Sequence, residues 1–204
     1  MADTPLSRDE LRLAAIAALR LKDAEDRQRY ADEPWAWYAE RVNLLDPLEP
    51  AERQVAPYPD FAYTRGVVKE ATETREPLII WKSRRMIISW TFVAEFARLA
   101  AHCKNQRLYF ISRTEGENAG EGARELISRT VWLLQNLRPG PAIRFEAQRL
   151  QIEFPDTGST ITGMGAGEPN KMRAMAANAV FCDEFGFWEN AEEAYTALRR
   201  TVEG

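Results

Sequence analysis

Histidine is almost missing from this chain: His102 is the single one, and it sits in an apolar stretch. A mechanism built on a histidine base or a histidine-rich metal centre therefore has one poor candidate. Cysteine occurs twice, at Cys103 and Cys182, too few for a disulfide framework or a cysteine-ligated metal. Both lie in or beside apolar segments, as expected of buried, reduced thiols in a reducing compartment. No apolar run approaches the ~20 residues that span a bilayer, and the opening MADTPLSRDE is too polar and acidic for a secretory leader. Excess basic charge is also absent. The net charge of −4 argues against a chain coated for nucleic acid, though a local DNA-contacting patch stays open. No repeat or low-complexity tract occurs. Glycine is absent between Gly66 and Gly116.

What is present is ordinary globular material: 204 residues, 45% apolar and 28% charged. This is enough for one domain with a sizeable core, or one domain and a helical extension. Residues 7–30 are expected to be helical, with Ser7 and Glu10 as a capping box. Leu11, Ala15 and Leu19, then Leu13 and Ile16, form an apolar stripe at helical spacing. The segment WAWYAERVNLL places Trp35, Tyr38, Val42 and Leu45 on one helical face. Pro47, Pro50, Pro57 and Pro59 then mark 46–60 as a linker. The expected organisation is a helical extension over 1–45, this linker, and a domain over 61–204.

Within that domain, residues 61–74 are expected to be helical and Leu78–Trp81 a short buried strand. A helix follows over 89–102, with Phe92, Phe96 and Leu99 or Ala100 on one face. Arg107–Ile111 is a second buried strand, and 115–137 another helix. Residues 149–154 and 160–164 flank Pro155-Asp-Thr-Gly-Ser159 as a hairpin. Ala179–Cys182 is the third buried strand, and 190–202 a closing helix. Wholly apolar strands alternating with helices imply an α/β fold with a largely parallel sheet flanked by helices.

Two strand ends carry chemistry. After Trp81 comes Lys82-Ser83-Arg84-Arg85-Met86-Ile87-Ile88-Ser89, opening directly into a helix. Strand, short loop and helix is the arrangement that aims backbone N–H groups and a positive helix end at phosphate oxygens. Ser89 is the candidate Mg²⁺-reaching hydroxyl. Against the common pattern G-x-x-x-x-G-K-[ST], Lys82 and Ile87 fill the two glycine places and Ile88 the lysine place. As residues alone, the segment also reads as a plain strand–turn–helix junction with solvated basic residues. The second end is Ala179-Val-Phe-Cys182 followed by Asp183-Glu184, a Walker B pattern, in which the aspartate serves Mg²⁺ and the glutamate the attacking water. Ligands of α/β sheets bind where such strands end.

Together these segments resemble the N-terminal ATPase region of terminase large subunits, the DNA-packaging motors of tailed phages. Their deviant Walker A motif is close to K-S-x-R-x-x-x-S, and Lys82 to Ser89 fit every defined position. Tyr109–Thr114 is similar to the strand and loop after the family's phosphate-loop helix. The hairpin at 156–159, the loop at Met172-Arg173-Ala174 and the strand into Asp183-Glu184-Phe185 follow in family order. The aromatic segment at Trp35 and Trp37 also fits, so the resemblance covers roughly residues 30–195.

The resemblance implies a P-loop ATPase fold that binds ATP and Mg²⁺. Lys82 and residues Ser83, Arg84, Arg85, Met86, Ile87, Ile88 and Ser89 would hold the phosphates. Ser89 and Asp183 would serve the metal, Glu184 would be the catalytic carboxylate, and Arg173 an arginine finger for a neighbouring subunit. A solvated surface arginine is the alternative for Arg173. Gln54, Tyr58 and Tyr63 are unranked candidates for adenine contact. The implied partners are double-stranded DNA, the portal protein, the small terminase subunit and copies of the chain in a ring, in the host cytoplasm. In this ATPase class the strand after Walker B inserts between the two Walker strands. Roughly twenty residues follow Glu184, so the sheet is expected to lack that strand. A helicase-like ATPase and a non-catalytic assembly domain stay open as rival functions.

Overall fold

Apolar side chains gather on both faces of one sheet and organise the chain. The computed structural model describes residues 8–46, 49–74, 77–82, 86–117, 121–167 and 169–203. Its helices are α1 (Arg8–Asp32), α2 (Pro34–Arg41), α3 (Ala62–Glu73), α4 (Ile88–His102), α5 (Gly122–Gln135), α6 (Pro169–Arg173) and α7 (Ala191–Glu203). Its strands are β1 (Asn43–Leu45), β2 (Val55–Pro57), β3 (Arg107–Ser112), β4 (Glu146–Ala147), β5 (Gln151–Phe154), β6 (Ser159–Gly165) and β7 (Ala179–Cys182).

Strands β4-β5-β6-β3-β7 form one sheet in that order. β3 runs parallel to both β6 and β7, whereas β5 is antiparallel to β4 and β6. The sheet is therefore mixed rather than largely parallel. The antiparallel half comes from the expected hairpin, which pairs Phe154 with Ser159 and turns at Gly158, where φ is +68°.

Alternation along β3 assigns the two faces, since successive side chains point opposite ways. Leu108 and Phe110 join Phe181, Ile152 and Ile161 under α4, α5 and α2. Tyr109 and Ile111 join Met164, Val180 and Cys182 under α6 and α7. Helix α4 is buried on most of its circumference, as a helix enclosed between a sheet and other helices must be. Phe96 stacks on Phe110 with centroids 4.8 Å apart, and Phe92 on Phe181 at 4.4 Å. These two stacks, each worth about 0.5–1.5 kcal/mol beyond burial, fix α4 along β3 and β7.

Several expectations need correction. Leu78–Trp81 is not a strand: it pairs with no strand among the described residues. Ile79 is 70% exposed and Trp81 93%. Strand geometry needs a ladder partner, and β7 stands at the edge of the sheet with β3 as its one neighbour among the described residues. Within the segment 46–60, Val55–Pro57 pairs antiparallel with Asn43–Leu45. The second aromatic helix accordingly stops at Arg41 and Leu45 belongs to a strand. Trp37, outside the expected face, is completely buried. Helix α5 starts at Gly122 rather than 115. Gly116 lies at φ +88°, outside helical backbone, and a Cβ there would collide with the carbonyl oxygen of Glu121.

Helix α1 has the expected extent, but Leu11, Leu13, Ile16 and Leu19 are exposed. It joins the rest through its last turns. Tyr30 is buried, and Arg98 of α4 donates to the carbonyls of Tyr30 and Ala31 at 2.9 and 2.6 Å. Arg98 also forms a buried pair with Glu95 at 2.6 Å. Ser7, the expected cap, lies outside the described residues. Among the described residues no helix is long and apolar enough to cross a membrane.

Candidate nucleotide-binding site

The parallel pair β3 and β7 and the start of α4 bring three distant side chains together. Ser89 lies in the first turn of α4 and is buried. Its hydroxyl donates to Asp183 Oδ1 at 3.1 Å across 94 residues of chain. Lys82 Nζ donates to Ser89 Oγ at 3.3 Å and lies 3.7 Å from the same Asp183 oxygen. Asp183 is itself held by its neighbours. Its N–H donates to Ile111 O at 2.8 Å, and its carbonyl accepts the indole N–H of Trp188 at 3.2 Å. The lysine, hydroxyl and carboxylate singled out from sequence thus converge on one point, at the ends of β3 and β7 and the N-terminus of α4.

A serine hydroxyl and one carboxylate are the small protein ligand set that Mg²⁺ uses when phosphates and water supply its other oxygens. Among the described residues there is no cluster of three or more His, Cys, Asp or Glu side chains that would form an all-protein metal cage. The arrangement fits a metal–phosphate ligand better than a bare metal. Lys82 supplies the compensating positive charge, and its side chain is one-third exposed, as access by a ligand requires.

Two backbone conformations at this site are unusual. Ile87, the residue before α4, has φ 25° and ψ 14°. A β-branched residue at positive φ is an outlier that costs on the order of 1–3 kcal/mol. Ile87 is also the residue that fills the second glycine place of the common loop. Glu184 has φ 55° and ψ 31°, so the chain turns sharply after β7. Met86 and Ile87 are half-buried and Ile88 buried. Ser83, Arg84 and Arg85 lie outside the described residues.

Arg173 is not part of this cluster in the chain. It ends α6, where it donates to Asn170 Oδ1 and to Glu193 Oε1 of α7, each at 2.7 Å. The three adenine candidates separate. Tyr58 is buried and its hydroxyl is 2.7 Å from Thr91 Oγ1 of α4. Tyr63 stacks on Phe61 at 5.3 Å at the surface. Gln54 accepts the Asp46 N–H through its backbone carbonyl at 2.8 Å. Sequence reasoning misses Thr91 and Trp188. Both work through contacts with distant or backbone partners, and only the position of Trp188 five residues after Asp183 offers a clue.

No protein-family model matches the chain, and no curated protein matches it.

Proposed function

We propose that the chain is the ATP-binding part of a terminase large subunit, which drives double-stranded DNA into a procapsid. The observation that carries this reading is the convergence of Lys82, Ser89 and Asp183, each at the motif position the resemblance assigns it. Lys82 meets the β/γ-phosphates, and Ser89 with Asp183 holds Mg²⁺, which when bound neutralises phosphate charge. The loop backbone up to Ser89 and the positive end of α4 bind phosphate oxygens. Glu184 orients or deprotonates the attacking water, and Arg173 serves ATP held by a neighbouring copy in a ring. Portal protein and small terminase subunit are the further partners, with assembly in the host cytoplasm.

One observation favours a second reading, a domain that binds nucleotide without turning it over. Ile87 takes strained backbone where other phosphate loops place glycine. Binding is tested by thermal or denaturant unfolding with and without Mg²⁺–ATP. Nucleotide at a hundred times its dissociation constant adds ~2.7 kcal/mol, and Asp183→Asn should abolish the Mg²⁺-dependent part. Stability unmoved by Mg²⁺–ATP removes both readings, and binding without hydrolysis in an assembled motor leaves the second.

A further inference from the structure

The strained residue before α4 is tied to a distant part of the chain. The carbonyl of Ile87 accepts two bonds from Thr91, from its N–H at 2.9 Å and its hydroxyl at 3.0 Å. Thr91 is itself fully buried. Either hydroxyl can donate in its contact with Tyr58 at 2.7 Å; with the single threonine proton given to Ile87, the tyrosine is the donor. The carbonyl of Thr91 accepts from the Tyr38 hydroxyl at 2.8 Å. The two tyrosine rings meet edge to face, 4.7 Å between centroids. Two tyrosines, one from α2 and one just after β2, therefore grip a threonine one helical turn beyond the loop. The Ile87 side chain packs against the same core.

Alone, the Thr91 hydroxyl could rotate, and a serine or threonine bonding four residues back is an ordinary helical feature. With Tyr58 donating to it, it has one direction left, toward Ile87. That matters because isoleucine does not hold a left-handed backbone unaided. The residue two places on is Ser89.

We propose that Tyr58, acting through Thr91, is a positioning residue of the phosphate site: it keeps Ile87 in the left-handed conformation on which the placement of Ser89 opposite Asp183 depends. Tyr58 is thereby assigned a role different from adenine contact, and the segment joining β2 to α3 is coupled to the phosphate loop. This rests on the nucleotide-site reading above. It adds that a conformation normally entrusted to glycine is here enforced by a buried hydrogen-bond chain.

The test is a double-mutant cycle on the full chain, read by Mg²⁺–ATP affinity and by amide hydrogen exchange of the peptide spanning 86–90. Tyr58→Phe keeps the ring and removes the donor. It should weaken affinity about tenfold, a change of roughly 1.4 kcal/mol, and speed exchange in the peptide. In an Ile87→Gly background the same change should have little effect on affinity, because glycine holds positive φ without help. Thr91→Val should behave like Tyr58→Phe, and Thr91→Ser, which keeps the hydroxyl, should retain most of the affinity. These variants also keep the test open should Tyr58→Phe fold poorly. If the wild type binds Mg²⁺–ATP but Tyr58→Phe changes neither affinity nor exchange, or costs as much in the Ile87→Gly background as in the wild type, the tether is wrong. If the wild type binds no nucleotide, the site reading fails and the positioning role with it, even where exchange shows that the tether exists.

Discussion

Arg41 and Arg138 hold each other's main chains. Arg41 Nε donates to the carbonyl of Arg138 at 2.8 Å, and the Arg138 N–H donates to the carbonyl of Arg41 at 2.9 Å. The Arg138 guanidinium also caps the end of α2, donating to Ala39 O at 2.6 Å and Tyr38 O at 3.1 Å. Arg41 is buried with no carboxylate partner among the described residues, and its guanidinium lies over the rings of Tyr30 and Trp37. The exchange locks α2 to the turn that follows α5, and with it the aromatic cluster that reaches Thr91.

Gly140 is where that lock has no room. A Cβ there would lie 2.5 Å from Arg41 Nη1 and 2.7 Å from Cζ. The guanidinium is bonded and stacked, so it yields only with loss of those contacts. Gly140→Ala should cost about 1–3 kcal/mol. Gly66, inside α3, has nothing within 4 Å of its added Cβ, so Gly66→Ala should gain roughly 0.5–1 kcal/mol. Denaturant midpoints of the two variants compare directly. A Gly140→Ala midpoint equal to that of the wild type would show that Arg41 is not confined there.

His102 makes stability depend on pH. Both its ring nitrogens are buried without a hydrogen-bond partner among the described residues. Burial first, then Arg27, Arg41 and Arg98, push its pKa down from 6.5 to about 3. Between those values the unfolded chain binds a proton that the folded chain refuses. The contribution of neutral His102 is therefore complete above about pH 6.5 and is lost as pH falls toward about 3, at up to ~1.4 kcal/mol per pH unit. Substitution by Phe should flatten the stability profile in that window, beside the loss common to all carboxylates. Parallel profiles for wild type and His102→Phe would mean that the ring is reached by water when folded.

Much of this is legible in the sequence, and the exceptions have physical reasons. Helices α3, α4 and α7 and strands β3, β5, β6 and β7 follow from apolar period and turn residues. Lys82, Ser89 and Asp183 stand out because a motif leaves residue types in order along the chain, and the fold brings these three together. Leu78–Trp81 misleads because an apolar run reports what a segment can bury, not whether a neighbouring strand receives it. The pairing of β1 with β2 is hidden by prolines, which also serve at strand ends and edges. The roles of Thr91 and Tyr58 are illegible because one buried hydroxyl contact leaves no periodic trace. In sequence Ile87 is only a departure from the glycine pattern. Its positive φ shows that a glycine-like conformation is kept there by a residue that does not favour it.

The proposed phosphate loop carries three basic residues, Lys82, Arg84 and Arg85. Lys82 reaches Ser89 and Asp183, while Arg84 and Arg85 lie outside the described residues. Lys82→Ala is expected to weaken Mg²⁺–ATP binding sharply, whereas Arg84→Ala should matter less. Without nucleotide, removing Lys82 leaves Asp183 bonded by Ser89, Ile111 and Trp188, so the fold should persist and the loss should be specific to ligand. Isothermal titration of the two variants measures this. Unchanged affinity in both would withdraw Lys82 from phosphate binding.

Glu184 and Arg173 should separate chemistry from assembly. Glu184 follows Asp183 at a left-handed turn, while Arg173 faces Glu193 on the surface of α7. Arg173 bonds Asn170 and Glu193 rather than Glu184, so its proposed service to a neighbouring copy is read only from assembled rings. In an assembled motor Glu184→Gln should bind Mg²⁺–ATP and hydrolyse it orders of magnitude more slowly. Arg173→Ala should also bind and lose hydrolysis, by as much as about 10³–10⁵ if it acts as arginine fingers do elsewhere. Mixing the two variants supplies the decisive comparison. A Glu184→Gln subunit keeps its arginine and can lend it to an Arg173→Ala neighbour that keeps its glutamate, so some turnover should return. The Arg173–Glu193 pair would have to open for this, so Glu193→Gln alone should not impair turnover. Steady-state hydrolysis of mixed rings, with mixing verified by mass, reads the result. Mixed rings as inactive as either parent would argue against action of Arg173 in trans.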